Sequence, residues 1–141
     1  MIVTWPVTDD PAGNARCLAC FFAIDNKIAG LSTEYKQAFE TVPRFRAGLH
    51  SGPVIVSECG GFKRQLAYFG DTMNVSARLC EHCKVRDCNL IVSGDVLSHV
   101  TIPQNLQISA GQDIALRGRN SLLEVHEVRQ ITDNSARFAA N

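Results

Sequence analysis

No stretch of this sequence is apolar for long enough to cross a bilayer. Its first residues, Met1-Ile2-Val3-Thr4-Trp5, lack the charged start of a secretion signal. Net charge is missing too: 14 lysines and arginines balance 14 aspartates and glutamates, so no overall field draws the chain to nucleic acid or a membrane surface. There is no internal repeat, linker or low-complexity block, and His82, His99 and His126 stand in no ligand spacing. These absences point to one soluble, cytoplasmic domain, and 141 residues suffice to bury a core.

Cysteine is abundant, with six in all. Cys17/Cys20 and Cys80/Cys83 have the C-x-x-C spacing of zinc ligands. Both pairs fall inside predicted helices, however, and Cys17 to Phe22 reads as a buried apolar face. Reduced thiols packed as small hydrophobes fit that context better, and no metal ligand is assigned.

Met1–Val7 reads as a strand ended by Pro6. Asn14 to Leu31 has helical periodicity through Ala15, Leu18, Phe22, Ile24 and Ile28, and Ser32 to Val42 continues it until Pro43. Arg44–Val56 and Arg64–Phe69 are strand-forming runs around Cys59-Gly60-Gly61-Phe62, the pattern of a β-hairpin. A helix follows to about Lys84, capped by Asp71 or Thr72, with Asp71 favoured as a cap over a catalytic group. Asn89–Ser93 is a short buried strand and Gly94–Val100 a helical turn or two. Leu106–Leu116 and Leu122–Val128 form a closing antiparallel pair, and 132–141 is a polar tail. Strands and helices alternate and end in a hairpin, so the fold class is α+β.

Asn74 and Arg78 are four apart on the predicted helix, so they share a face just beyond a strand end. An amide and a guanidinium presented there suit a phosphate. His50, where a strand meets Ser51-Gly52-Pro53, has no nucleophile near it in sequence and is read as structural.

Two segments, Phe45-Arg46-Ala47-Gly48-Leu49-His50-Ser51-Gly52 and Phe69-Gly70-Asp71-Thr72-Met73-Asn74-Val75-Ser76-Ala77-Arg78-Leu79, resemble the signature of class III nucleotidyl cyclases, the adenylate and guanylate cyclase catalytic domains. The resemblance implies a ferredoxin-like βαββαβ core, here expected to be N-terminally truncated, with residues 1–131 as a partial catalytic domain. It implies that Asn74 orients the ribose of ATP or GTP and that Arg78 stabilises charge at the α-phosphate. Phe69 and Gly70 fall in the nucleotide-binding stretch. Leu116-Arg117-Gly118-Arg119 is similar to a late basic turn of the family, whose first basic residue reaches the triphosphate. For Arg117, that role and an ordinary basic turn both stay open.

The chain departs from the family in three places. Ala67 stands where many members carry a side chain that reads the purine. The F-x-D-[IV]-x-G-F-[TS] and K-x-x-G-D segments, which bear the two metal aspartates, are not found, and no D-x-D or carboxylate constellation replaces them. Asp9 and Asp10 are adjacent and point apart on an extended chain. Magnesium or manganese serves the intact family, and none is expected bound here. The resemblance therefore implies an adenylate cyclase domain inactive on its own, working as a homodimer or heterodimer with a cyclase domain. The alternative is a non-catalytic module that binds a partner or nucleotide. An upstream start codon would restore the enzyme reading.

The family fold places its first strand between those corresponding to Met1–Val7 and Arg44–Val56. Those two are expected either to close up and pair in parallel, or to take a strand from another copy, giving a dimer.

Overall fold

The computed structural model describes residues 1–131. The short helix α1 (Pro11–Asn14) leads into α2 (Arg16–Gly30) and α3 (Ser32–Phe39). Next come strand β1 (Ala47–Leu49) and a hairpin of β2 (Ile55–Cys59) and β3 (Gln65–Phe69). Helix α4 (Asp71–Arg86), strand β4 (Leu90–Ser93) and the single turn α5 (Gly94–Leu97) follow. Strands β5 (Leu106–Ile108), β6 (Gln112–Ala115) and β7 (Leu122–Gln130) close the described chain.

The main sheet runs β1-β4-β7-β5, with β6 also on β7. Strand β1 pairs parallel to β4, with Gly48 opposite Ile91, and the remaining pairs are antiparallel. Pairing of Ile108 with Val128 and of Gln112 with Val125 leaves residues 109–111 facing only 126–127, a bulge that separates β5 from β6.

Alternation along the strands feeds two cores. Leu90, Val92 and Val128 face Leu18, Phe21 and Phe22 of α2. Ile91, Leu123 and Val125 face Val75, Leu79 and Cys83 of α4. All of β4 is buried, which explains its unbroken apolar run Leu90-Ile91-Val92. The approach of α4 to the sheet depends on Gly48: a Cβ there would meet the backbone at Cys80 and Ser76 and come within 2.6 Å of the Leu79 Cβ.

This mixed α+β architecture agrees with the expected class. The helices, the Gly60 turn (φ +115°), β4 and the closing antiparallel strands lie where the sequence places them, within a few residues, except that Leu106–Leu116 is divided at residues 109–111 into β5 and β6 instead of forming one strand. Three further details differ. The run Arg44–Val56 is not one strand: it breaks at residues 50–54, its first part pairing with β4 and its last part with β3. Propensity saw one extended run, but its two ends have partners in different sheets. Asp71 and Thr72 do not cap α4. The N-cap is Gly70 (φ +134°), and the Thr72 hydroxyl donates instead to the Pro53 carbonyl at 2.7 Å. Met1–Val7 is not a strand; Met1, Ile2, Val3 and Val7 are exposed, and a cavity of about 540 Å³ separates this segment from β1. The expected parallel closure of Met1–Val7 onto β1 is therefore not what the chain does. A strand needs a neighbour, and Asn14 holds the chain just after this segment elsewhere. Its side-chain amide donates to the Thr8 carbonyl at 2.9 Å and to the His99 carbonyl at 2.8 Å. The tail expected at 132–141 lies outside the described residues.

Candidate functional site

Helix α4 buries Thr72, Val75, Leu79 and Cys83 along one stripe. Its first turn carries Asp71 and its last Lys84 and Arg86, charges that suit the helix dipole at each end. Asp87 closes it in the left-handed conformation (φ 51°), with the Cys88 N–H bonded to the Cys83 carbonyl at 3.1 Å. The buried stripe turns Asn74 and Arg78 away from the core: Asn74 is exposed and Arg78 half-buried.

Arg78 reaches the turn between β6 and β7, where its Nη1 donates to the Arg117 carbonyl. That turn is held by the Arg119 N–H on the Leu116 carbonyl at 3.1 Å, by positive φ at Gly118 (+82°) and by burial of Leu116. Two residues separated by 39 positions are thus brought together, and Arg117 itself stays exposed. Arg119 lies 3.7 Å from Asp71, and its Nη1 is buried without a hydrogen bond. The guanidinium groups of Arg78 and Arg119 therefore both lie between α4 and this turn, with the Asp71 carboxylate beside Arg119. A guanidinium has five donors, so Arg78 keeps several for an anionic ligand.

Gly70 is the joint between β3 and α4. Phe69 is exposed on β3 opposite Ile55, and Ala67 is half-buried opposite Ser57. Both occupy the same face of the hairpin, two residues apart. The hairpin is tied back to the helix by the Thr72–Pro53 bond.

Two features escaped the sequence reading. His50 is paired after all, with its Nδ1 2.8 Å from the Ser93 Oγ and 3.7 Å from an Asp95 oxygen. Both partners address the same ring nitrogen and Ser93 is fully buried, so this is no nucleophile–base–acid relay. Burial pushes the His50 pKa down; Asp95 acts the other way, Arg119 adds to the lowering and Asp71 opposes it. The second is Arg119, which lines a cavity of about 600 Å³ with His50, Asp71 and Phe69. Its only signal in sequence is its place in the basic turn, since nothing local announces a partner 48 residues earlier.

The cysteines are free thiols, with Cys83 and Cys88 buried. The Cys83 thiol donates to the Ala47 carbonyl at 3.3 Å and Cys80 to Arg46 at 3.5 Å, so this C-x-x-C pair joins α4 to β1. Burial, then the neighbouring Cys88, pushes the Cys83 pKa up to about 12. Among the described residues, no group of three or more His, Cys, Asp or Glu is placed to hold a metal ion, and no helix is long and apolar enough to cross a membrane.

The family model described as the adenylate and guanylate cyclase catalytic domain matches residues 9–129. Adenylate cyclase 2 of Rhizobium meliloti (strain 1021) is 32% identical over 124 residues, covering 88% of this chain and 34% of that protein. Retinal guanylyl cyclase 2 of Homo sapiens is 41% identical over 83 residues, which is 59% of this chain and 7% of that protein. Adenylate cyclase 1 of the same Rhizobium strain is 25% identical over 124 residues, 87% of this chain and 18% of that protein. The chain thus spans about a third or less of the length of each of these relatives. With the match covering both α4 and the basic turn that Arg78 holds, the chain belongs to the adenylate and guanylate cyclase catalytic domain family.

Proposed function

We propose that residues 1–131 supply the phosphate-facing part of a class III cyclase site that converts ATP to cyclic AMP and pyrophosphate. The observation that carries this is the Arg78 guanidinium, held on the Arg117 carbonyl with Asn74 one helical turn earlier on α4. In that reaction the ribose 3′-oxygen bonds to the α-phosphorus, and the bond to pyrophosphate breaks. Arg78 meets the charge that develops on the α-phosphate, a role in which a pre-positioned donor is most effective. Asn74 orients the ribose and Arg117 holds the terminal phosphates. Gly70, Phe69 and Ala67 border the base; with alanine at 67, backbone groups carry the purine contacts.

Magnesium or manganese supplies hydroxyl activation and charge neutralisation in this family. The described residues do not fit such an ion, because no carboxylate cluster is present among them. No step of this chain is routed through one. On this reading the isolated chain is inactive, and a second cyclase domain bearing the carboxylates completes the site. The exposed apolar residues of the β2–β3 hairpin, among them Ile55, Val56 and Leu66, support such pairing.

The test mixes this chain with an intact cyclase domain whose own transition-state arginine has been replaced. Cyclic AMP formation is expected to return, and to fall on the order of 10²-fold with Arg78→Ala in this chain. An unchanged rate removes Arg78 from the mechanism. Nucleotide binding without turnover in any mixture favours the non-catalytic module instead.

A further inference from the structure

Helix α4 carries Asp71, Asn74 and Arg78 at spacings of three and four residues. The three lie along one stripe, with Asp71 and Arg78 two helical turns apart and Asn74 between them. The turn between β6 and β7 spans that stripe and meets both of its ends. At one end the Arg78 Nη1 donates to the Arg117 carbonyl. At the other, the Arg119 Nη1 stands 3.7 Å from the Asp71 Oδ2. The apex of the turn lies against Arg78 as well: a Cβ on Gly118 would come 3.7 Å from each of its Nη atoms. Polarity reverses between the two ties. The helix supplies the guanidinium at Arg78, and the turn supplies it at Arg119.

Stability does not account for the Asp71 tie. Asp71 does not cap α4, whose N-cap is Gly70. Its side chain is 64% exposed, and an ion pair that open to solvent adds little to stability. Yet the Arg119 Nη1 is buried and makes no hydrogen bond, so it has given up water without a full replacement. A shift of under about 1 Å would bring the Asp71 oxygen to hydrogen-bond distance of it. With one tie alone the turn is free to pivot about the Arg117 carbonyl, and Arg78 pivots with it. Movement on that scale matters at a reacting centre, where about 1 Å can cost on the order of 10²-fold in rate.

We propose that Asp71 is a positioning residue: through Arg119 it holds the β6–β7 turn, and so fixes where the Arg78 guanidinium points. What Arg78 then does rests on the cyclase reading above, to which this adds a carboxylate and a second arginine. The Asp71 carboxylate touches no substrate. When a phosphate draws donors of Arg78 away from the Arg117 carbonyl, the Asp71 tie keeps the turn from following.

Two measurements test this, and the first needs no substrate. In the isotopically labelled full chain, rotation of the Arg78 guanidinium about its Cζ–Nη bonds is read by NMR. Slow rotation is expected in the unaltered chain, and rotation faster by about fivefold or more in Asp71→Asn and in Arg119→Ala. The urea midpoint should stay in place, and Asp71→Glu should restore the slow rate. The second measurement uses the mixture with a cyclase domain that lacks its own transition-state arginine. Asp71→Asn should lower kcat about tenfold and change KM by less than about threefold, because Arg78 meets charge present only in the transition state. Asp71→Asn and Arg119→Ala together should cost no more than either alone, since both break one tie. Unchanged Arg78 rotation overturns the proposal, as does an unchanged kcat in Asp71→Asn or an additive loss in the double variant. So does a urea midpoint that falls along with kcat in Asp71→Asn, which makes the carboxylate part of the fold. Should the mixture with the unaltered chain make no cyclic AMP, the cyclase reading fails, and the Arg78 rotation decides the positioning role alone.

Discussion

Helix α4 on β1 and the β2–β3 hairpin are joined through Gly70, yet they are opposite kinds of structure. At the α4–β1 seam, backbone approaches backbone over Gly48, Val75, Leu79 and Cys83 are fully buried, and two thiols donate to the carbonyls of Arg46 and Ala47. On the hairpin every residue of both strands is exposed except the half-buried Ala67, and Phe62 at the tip has no cover at all. Backbone pairing satisfies the hairpin's polar groups, but an isolated two-stranded ribbon is marginal in water. The contrast separates two placements of apolar residues: the seam buries them for the stability of this chain, and the hairpin leaves them exposed to solvent.

The comparison can be broken most sharply at Leu79. Leu79→Ala opens a void under α4 and is expected to cost about 2–5 kcal/mol, read from the urea unfolding midpoint. A cost below that range would mean the seam relaxes freely. Gly48→Ala comes next, at about 1–3 kcal/mol, because the added methyl meets helix backbone that cannot rotate away. A neutral result would show that α4 can lift off the sheet without penalty.

Cys83 sharpens the comparison by pH. Its folded pKa of about 12 lies above the ordinary 9.0, so the unfolded chain loses that proton first. The stability it contributes is complete below pH 9.0 and declines as pH rises from there toward about 12. Unfolding midpoints measured across that window should fall, and Cys83→Ala should flatten the slope. The smallest effect belongs to the hairpin. Leu66→Ser with Tyr68→Ser should change the monomer's stability by no more than about 0.5 kcal/mol per site, as for surface positions. The same pair should weaken assembly with a cyclase domain, measured by sedimentation. A large loss of monomer stability would show that the hairpin is part of the core.

The local chemistry of the chain was legible from residue order alone. The Gly60 reversal, the extent of α4, the buried run of β4 and the shared helix face of Asn74 and Arg78 follow from turn geometry and periodicity, which act over a few residues. Family membership followed from the spacing of two segments around that hairpin. Tertiary structure decided what depends on distant neighbours. Only pairing with β4 and β3 divides the run Arg44–Val56 between two sheets. Only packing sets His50 against Ser93, and Arg78 against the Arg117 carbonyl. The outcome for Met1–Val7 has the same cause. Its residues favour extended backbone, but a strand exists only where another edge donates and accepts its hydrogen bonds, and no span of seven residues carries that information.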